Sequence, residues 1–402
     1  MSGGPRFVPF DPTTRERWEE RVARELVKES LDLQSLARRL PGGLVIEPLY
    51  TDVPDAEPVP PGPFGAGERP AYVQALLAAD ADTTLGATAR AAAAAGADRL
   101  WLEHGPLAAR DANVDLAGQL ATSSVPIDLE VWPADLDLLD TLRSFGVPLE
   151  AACDPFSWVA REGEPLTGLG FFERRFADLV REAPPGARPL RVDARTHHEA
   201  GANAVQELGA AMATAIAQLR ILERNGISLE DATSRMRFSM SVDADFVVSI
   251  AKLRAARLLW AKVQGALGVA SPDPMRIHAF ASLRDRDPAR AYDDVLRDTV
   301  AGFSAILGGA DRITLAPFEP SPRAERLSRN TFLVLRHEAH LDAVRDAAAG
   351  SYAIEHLTQE LARRGWDTMR WIESQGGMGP ALTSGAWRDS LLQEATAEEA
   401  GG

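Results

Sequence analysis

The sequence predicts an α/β fold: a (β/α)8 TIM barrel with an N-terminal arm and a C-terminal helical extension. Three observations predict it. Eight short apolar or alternating runs follow one another between residues 70 and 320. Helical stretches separate them, several ending in Gly before the next run, as a helix C-terminus should. No G-x-G-x-x-G turn follows any run, which removes the usual reason to prefer an open doubly wound sheet. Strand and helix alternating eight times imply parallel pairing through right-handed crossovers, and eight such units close as a barrel.

Residues 1–68 read as an arm. Trp18, Val22 and Leu26 recur at spacing four, a short helical stripe, and LVIEPLY follows as a compact apolar run. The stretch DVPDAEPVPPGPFGAGERP is so rich in Pro and Gly that it reads as linker or irregular loop. The arm is too thin to form a core of its own, so it is expected to gain stability by lying on another surface, a partner chain.

The barrel is expected over 69–348. Its strands are AYVQALL (the least marked of the eight), RLWLEHG, PIDLEVW, PLEAAC, PLRVDA, MRFSMSV, MRIHAFA and RITLAPF. The clearest unit is FSMSVDADFVVSIAKLRAARLLWAKVQGALG, a strand that ends in a polar turn and opens into a long amphipathic helix. Phe246, Ile250, Leu253 and Trp260 share one face of that helix. Asp243 and Asp245 stand where a helix start wants acceptors and negative charge. Lys252, Arg254 and Arg257 fall on the rest of its surface. RNTFLVLRHEAHLDAVRDAAAG and SYAIEHLTQELARRGWDTMRWIESQGG carry helical spacing. Residues 349–402 form the C-terminal helices and an acidic tail that frays.

Composition is that of a soluble globular chain: 402 residues, 45% hydrophobic and 25% charged. No apolar run approaches the roughly 20 residues needed to span a bilayer, and the first residues lack a signal-peptide core. One cysteine, Cys153, excludes an internal disulfide and fits a reducing, cytoplasmic compartment. A formal charge of −15 argues against nucleic acid and anionic membranes as partners.

Three blocks of sequence carry a family resemblance. RERWEERVARELV followed by LVIEPLY is one, VDARTHHEAGANAVQELGAAMATAIAQL a second. The third is AILGGADRITLAPFE, continued by RLSRNTFLVLRHEAHLDAVRDAAAGSYAIEHLTQELARRGWDTMRWIESQGGM. Together they resemble the methylmalonyl-CoA mutases, which run radical chemistry on acyl-CoA thioesters in a (β/α)8 barrel. Where this chain departs from the family matters as much. The D-x-H-x-x-G loop, whose His binds cobalt in cobalamin-carrying members, has no counterpart, and too few residues follow Met378 for a cobalamin domain. The Tyr- and Arg-rich channel stretch is reduced to PFGAGERPAYVQALL, and GLGFFERRFADLVREAPPGAR stands in place of the Arg-Asn-Thr-Tyr segment. HAFASLRDRDPAR replaces the Thr-, Ser- and Gly-rich substrate motif.

This pattern resembles the small, non-catalytic subunit. The resemblance implies adenosylcobalamin in the assembled complex only, bound by a partner chain, with none expected here. The implied partner is a full-length mutase subunit in a heterodimer. The alternative is an active barrel that uses cobalamin carried by a separate B12-binding subunit. A ligand-binding barrel for a small acid is a third possibility. The negative charge gives no long-range help to anionic coenzyme A.

The candidate site residue is His198, which best matches the family His that donates a hydrogen bond to the thioester carbonyl. In catalytic chains two further residues separate that His from the following turn. His197 and Glu199 flank it, and the bland reading of all three is a retained loop. His104, Asp154, Asp193, Asp243, His278 and Glu319 stand at strand ends, where barrel mouths are polar with or without catalysis. His337, Glu338 and His340 form H-E-x-H, one residue short of a zinc-binding spacing, so helix surface is the plainer reading. Cys153 has no identifiable base beside it and reads as a buried small side chain. Partner-interface candidates are Trp18, Leu26, Tyr50, Trp366 and Trp371.

Overall fold

The structure, a computed structural model, describes residues 13–55, 57–62, 68–76, 85–103, 117–118, 120–131, 137–147, 149–163, 169–284 and 286–401. A hairpin of β1 (Arg38–Leu40) and β2 (Leu44–Ile46) precedes the barrel. The barrel strands are β3 (Ala71–Leu76), β4 (Arg99–Glu103), β5 (Ile127–Glu130), β6 (Leu149–Ala152), β7 (Leu190–Asp193), β8 (Met236–Val242), β9 (Ile277–Ala281) and β10 (Arg312–Thr314). All eight runs read from the sequence are strands. Their order is β6-β5-β4-β3-β10-β9-β8-β7, every pairing parallel. The ring closes between β6 and β7, where Cys153 bridges Leu190: its N–H donates to Pro189 O at 3.0 Å, and its carbonyl accepts from Arg191 N at 3.2 Å.

Outward-facing strand residues such as Leu100, Leu129, Val192, Met240, Ala279 and Ile313 form one core with the surrounding helices. The helices used below are α1 (Arg15–Leu26), α2 (Ala204–Arg224), α3 (Phe246–Ala266), α4 (Ala291–Leu307), α5 (Pro322–His337), α6 (Tyr352–Ser374) and α7 (Ala386–Gly401). Asn203 and Gln206 cap the start of α2 reciprocally, and Asp245 caps α3, as its position before Phe246 predicts. α6 lies across α2 so closely that a Cβ on Gly209 would meet the Thr368 side chain at 2.5 Å. Among the described residues no helix is long and apolar enough to cross a membrane.

Three expectations are corrected. Lys252, Arg254 and Arg257 are not on an exposed face: α3 is buried nearly all round, because α6 and α4 pack over its outer side. Each cation takes its partner inside: Lys252 donates to Glu207 at 2.5 Å, Arg254 to Asp346 and to Glu355 (2.6 Å), and Arg257 to the carbonyls of Gly308 (2.8 Å) and Gly309. The segment 329–350 is not one helix. α5 stops at His337, and His340 takes a left-handed φ of 51°, so H-E-x-H straddles a helix end. The arm is not wholly without a seat on its own chain. Leu44 is buried in the main core, Arg364 donates to Gly42 O at 2.9 Å, and Gln359 donates to Glu57 O at 2.9 Å. What does lack a seat is α1, in which no residue is buried.

Candidate functional site

Strand geometry decides which side chains meet on the barrel axis. Successive residues alternate faces, so every second position points inward. Glu150 on β6 pairs with Arg99 on β4 (2.8 Å), Arg312 on β10 (2.6 Å) and Arg237 on β8 (3.4 Å), strands that are not its neighbours. Only the interior allows this. Asp128 joins Arg312 at 2.7 Å and Arg99 at 2.5 Å, and Asp311 takes Arg237 at 2.7 Å. One layer up, Arg191 and Arg195 stack on Trp101 and Phe280, with ring centroids 4.5–5.4 Å from the guanidinium carbons. Asp193 holds Arg195 (3.1 Å) and Arg161 (3.0 Å), and Glu130 faces Arg191 at 3.6 Å. Burial alone would raise the carboxyls of Glu150 and Asp193. Their arginine neighbours outweigh it, bringing Glu150 to about 2 and Asp193 well below the usual range. The cavity left beside Glu150 and Arg191 is about 20 Å³, room for about one water.

Above this plug, the C-terminal ends of β7, β8 and β9 carry the mouth. His198 follows β7 and is 4% exposed. Its Nε2 lies 2.8 Å from Ser282 Oγ, and its Nδ1 lies 3.7 Å from Glu207 Oε2. Burial first, then the charges of Lys252 and Arg284, push its pKa down to about 2. The Ser–His–Glu arrangement makes a poor hydrolytic triad: the lowered pKa leaves the imidazole a weak base for the serine proton, and Glu207 spends its charge on Lys252. Glu207, facing Nδ1, favours the proton there, which leaves Nε2 to accept from Ser282. In that tautomer His198 has no N–H to offer a thioester carbonyl. Glu199 accepts Leu283 N–H at 3.1 Å, and Arg284 donates to Ala202 O at 3.0 Å, so the β7 and β9 turns are laced together. His197 is buried against Trp387 of α7, whose Nε1–H donates to its Nδ1 at 3.2 Å; burial lowers it to about 4.

A cleft of about 200 Å³ remains at this mouth, lined by His198, Asp243, Ser249, Lys252 and Arg284 and roofed by Leu40 and Leu44 of the hairpin. The other strand-end groups lie elsewhere. Asp154 is buried and accepts from Asp193 N (2.7 Å), Phe156 N (2.9 Å) and Gln218 Nε2 (3.2 Å). His278 is buried inside the barrel, 2.8 Å from Thr314 Oγ1 and held neutral by burial and nearby arginines. Glu319 is exposed and accepts from Ser321. His104 lies outside the described residues. Burial, Asp154 and Glu130 raise the Cys153 thiol well above its usual range, which leaves it inert. No group of three or more potential metal ligands occurs among the described residues.

The surface candidates divide. Tyr50 stacks on His356 at 5.1 Å, and Trp366 covers Lys262 at 4.2 Å, so both have partners within the chain. Trp18 and Leu26 on α1, and Trp371 at 37% exposed, remain at the surface. The plug, Glu207, Lys252, Ser282 and the hairpin contacts were not read from the sequence. A signal for the plug is there: R-x-W, D-x-E, R-x-D and R-x-T alternate charge at period two in strands buried on both faces.

The methylmalonyl-CoA mutase family matches residues 174–401. A methylmalonyl-CoA mutase small subunit from Streptomyces virginiae is 35% identical over 95% of this chain and 67% of its own length. That of Propionibacterium freudenreichii subsp. shermanii is 36% identical over 58% of this chain and 38% of its own. A probable small subunit of Mycobacterium tuberculosis is 38% identical over 48% of this chain and 33% of its own. The match thus spans two thirds of the first relative and about a third of the others.

Proposed function

The chain belongs to the methylmalonyl-CoA mutase family, and we propose that it is a non-catalytic small subunit which pairs with and stabilises a full-length, adenosylcobalamin-dependent mutase chain. Its contribution to interconverting methylmalonyl-CoA and succinyl-CoA is then indirect. The observation that carries this reading is the plug. An acyl-CoA thioester has no path along an axis filled by Arg99, Arg191, Arg237 and Arg312, each facing a carboxylate. The sequence suggested that arginines are missing from the channel. The barrel has them, but they are spent on Asp128, Glu130, Glu150 and Asp311 rather than left for phosphates. The naming of relatives as small subunits supports the same reading.

The described residues do not fit the family's cobalamin. At the mouth Nδ1 of His197 accepts from Trp387, and the two ring nitrogens of His198 face Ser282 and Glu207, which favours neither imidazole as a lower cobalt ligand. In this reading the cofactor is carried by the partner. Within this reading 1–68 is the arm, 69–348 the barrel and 349–402 the C-terminal helices, and α1 is the chief partner-binding element. Trp18, Val22 and Leu26 are already half-buried, so completing their burial on a partner would contribute about 1 kcal/mol each.

The test is to titrate the purified chain with methylmalonyl-CoA by calorimetry and with adenosylcobalamin by absorbance. Neither should bind tighter than about millimolar, roughly −4 kcal/mol. Micromolar affinity, or turnover once a separate B12-binding subunit is added, would sink the proposal in favour of an active barrel.

A further inference from the structure

The hairpin crosses the one face where His198, Ser249 and Lys252 meet a cleft. Its turn, Pro41–Gly42–Gly43, uses two left-handed glycines (φ 72° and 70°) to press on the start of α2. A Cβ on Gly42 would sit 3.0 Å from Val205 Cγ2, so the turn is fitted to that surface. Its attachments include the Arg38–Asp245 ion pair, the Arg364 hydrogen bond to Gly42 O at 2.9 Å, and Leu44 sunk into the core with Leu40 and Ile46 packed against it. On the N-terminal side α1 is held lightly: none of its residues is fully buried, and only Trp18, Glu19, Val22 and Leu26 are half-buried. On the C-terminal side Tyr50 is fixed independently on His356, and Asp52 O accepts from His356 at 3.2 Å. The hairpin is therefore a short element with its own attachments, between a lightly seated helix and a fixed anchor.

We infer that residues Arg38–Ile46 act as a strap that gates the mouth chamber, opening as a unit about Glu47–Tyr50 when the Arg38–Asp245 tie breaks. Asp245 also caps α3, so the tie joins the strap to the helix that presents Ser249 and Lys252 to the chamber. With the strap closed, the cleft of about 200 Å³ is roofed by Leu40, Pro41 and Leu44; with it lifted, His198 and Ser249 face solvent. This stands on the chain's own geometry, whether or not it meets a partner.

The experiment uses the intact chain carrying Ser249→Cys, treated with a small methanethiosulfonate and read by peptide mass spectrometry. Ser249 lines the chamber at 1% exposure, and buried Cys153 is the internal control. Labelling at 249 should be at least tenfold slower than in the denatured chain. Adding Arg38→Ala should speed it about tenfold, and Leu44→Ala further, while Cys153 stays unlabelled. Fast labelling with the strap unaltered, or a rate that Arg38→Ala leaves unchanged, would overturn the inference. So would Cys153 labelling in step with position 249, because global unfolding would then be the route. Ala202→Cys, also on the chamber wall and buried, gives the same readout should Ser249→Cys fail to fold.

Discussion

Glu150 is the keystone of the plug, and Glu150→Gln tests whether the plug holds the barrel. The substitution keeps shape and removes the charge that faces Arg99, Arg237 and Arg312 at 2.8, 3.4 and 2.6 Å. Two routes give the magnitude. The carboxyl is brought from its ordinary 4.5 to about 2. A displacement of that size corresponds to ~3 kcal/mol of folded-state stabilisation of the charged form. Breaking a buried ion pair by removing one partner costs about 3–5 kcal/mol. Both place the loss near 3 kcal/mol at pH 7. The sign with pH follows from the depressed value: the stabilisation is fully present above 4.5 and is lost as pH falls through about 2. Urea unfolding followed by circular dichroism, on wild type and variant at pH 7 and at steps down to 2.5, measures it. The gap should be widest at pH 7 and narrow steadily below 4.5. A gap under about 0.5 kcal/mol at pH 7, or one that does not change with pH, would refute the reasoning.

Three further outcomes are expected. Gly209→Ala should destabilise: the gain of about 1 kcal/mol in helix propensity is outweighed by overpacking of about 1–3 kcal/mol, because the new Cβ meets Thr368 at 2.5 Å and the Met369 backbone N at 3.0 Å. A variant as stable as wild type in thermal melts would mean that α2 and α6 can part. Deleting residues 1–36 should leave a folded barrel yet abolish co-purification with a full-length mutase chain, whereas deleting 1–47 should also lower the melting temperature, since it removes Leu44. Retained co-purification would move the interface to the surface around Trp371. Burial keeps His198 neutral down to about 2, so below pH 6.5 the unfolded chain takes up a proton there that the folded chain does not. That share lowers stability by about 1 kcal/mol per pH unit between 6 and 5, and His198→Gln should make the stability–pH curve shallower by that amount; an unchanged curve would place the titration elsewhere.

Much of the fold was legible because its signals are local. The run MRFSMSV, the capping acids Asp243 and Asp245 and the stripe Phe246–Ile250–Leu253–Trp260 each need only neighbours within a few turns to be read. Burial of Lys252, Arg254 and Arg257 was not legible, since it depends on α6, a hundred residues on, covering the outer side of α3 with Glu355 and on Asp346 arriving from the loop before it. The break after His337 was hidden for a related reason. RHEAHLDAV has good helical spacing, but Asp346 is drawn to Arg254, and the chain turns at His340 to deliver it.

The site was the least legible part, and His198 shows why. Residue type and position after β7 mark it as a hydrogen-bond donor to a carbonyl, and the structure does put it at the mouth. What an imidazole does there is set by groups from three other elements: Glu207 on α2, Lys252 on α3 and Ser282 after β9. Burial, then Lys252 and Arg284, keep it neutral, the carboxylate favours the proton on Nδ1, and the serine fills Nε2. A residue can thus keep its place while every neighbour that gave it a role is turned to holding the barrel shut. The same holds one layer down, where arginines of the kind that clamp phosphates each face a carboxylate of the same chain. On the proposed non-catalytic reading, restoring single residues will not make the axis bind. A double change such as Glu150→Ala with Glu130→Ala should free arginines along the axis, and calorimetry with coenzyme A or pyrophosphate should then detect binding that wild type lacks. Binding by wild type itself would show that the axis is open; none by a variant still folded by circular dichroism would show that it is closed by packing of Trp101 and Phe280 rather than by charge.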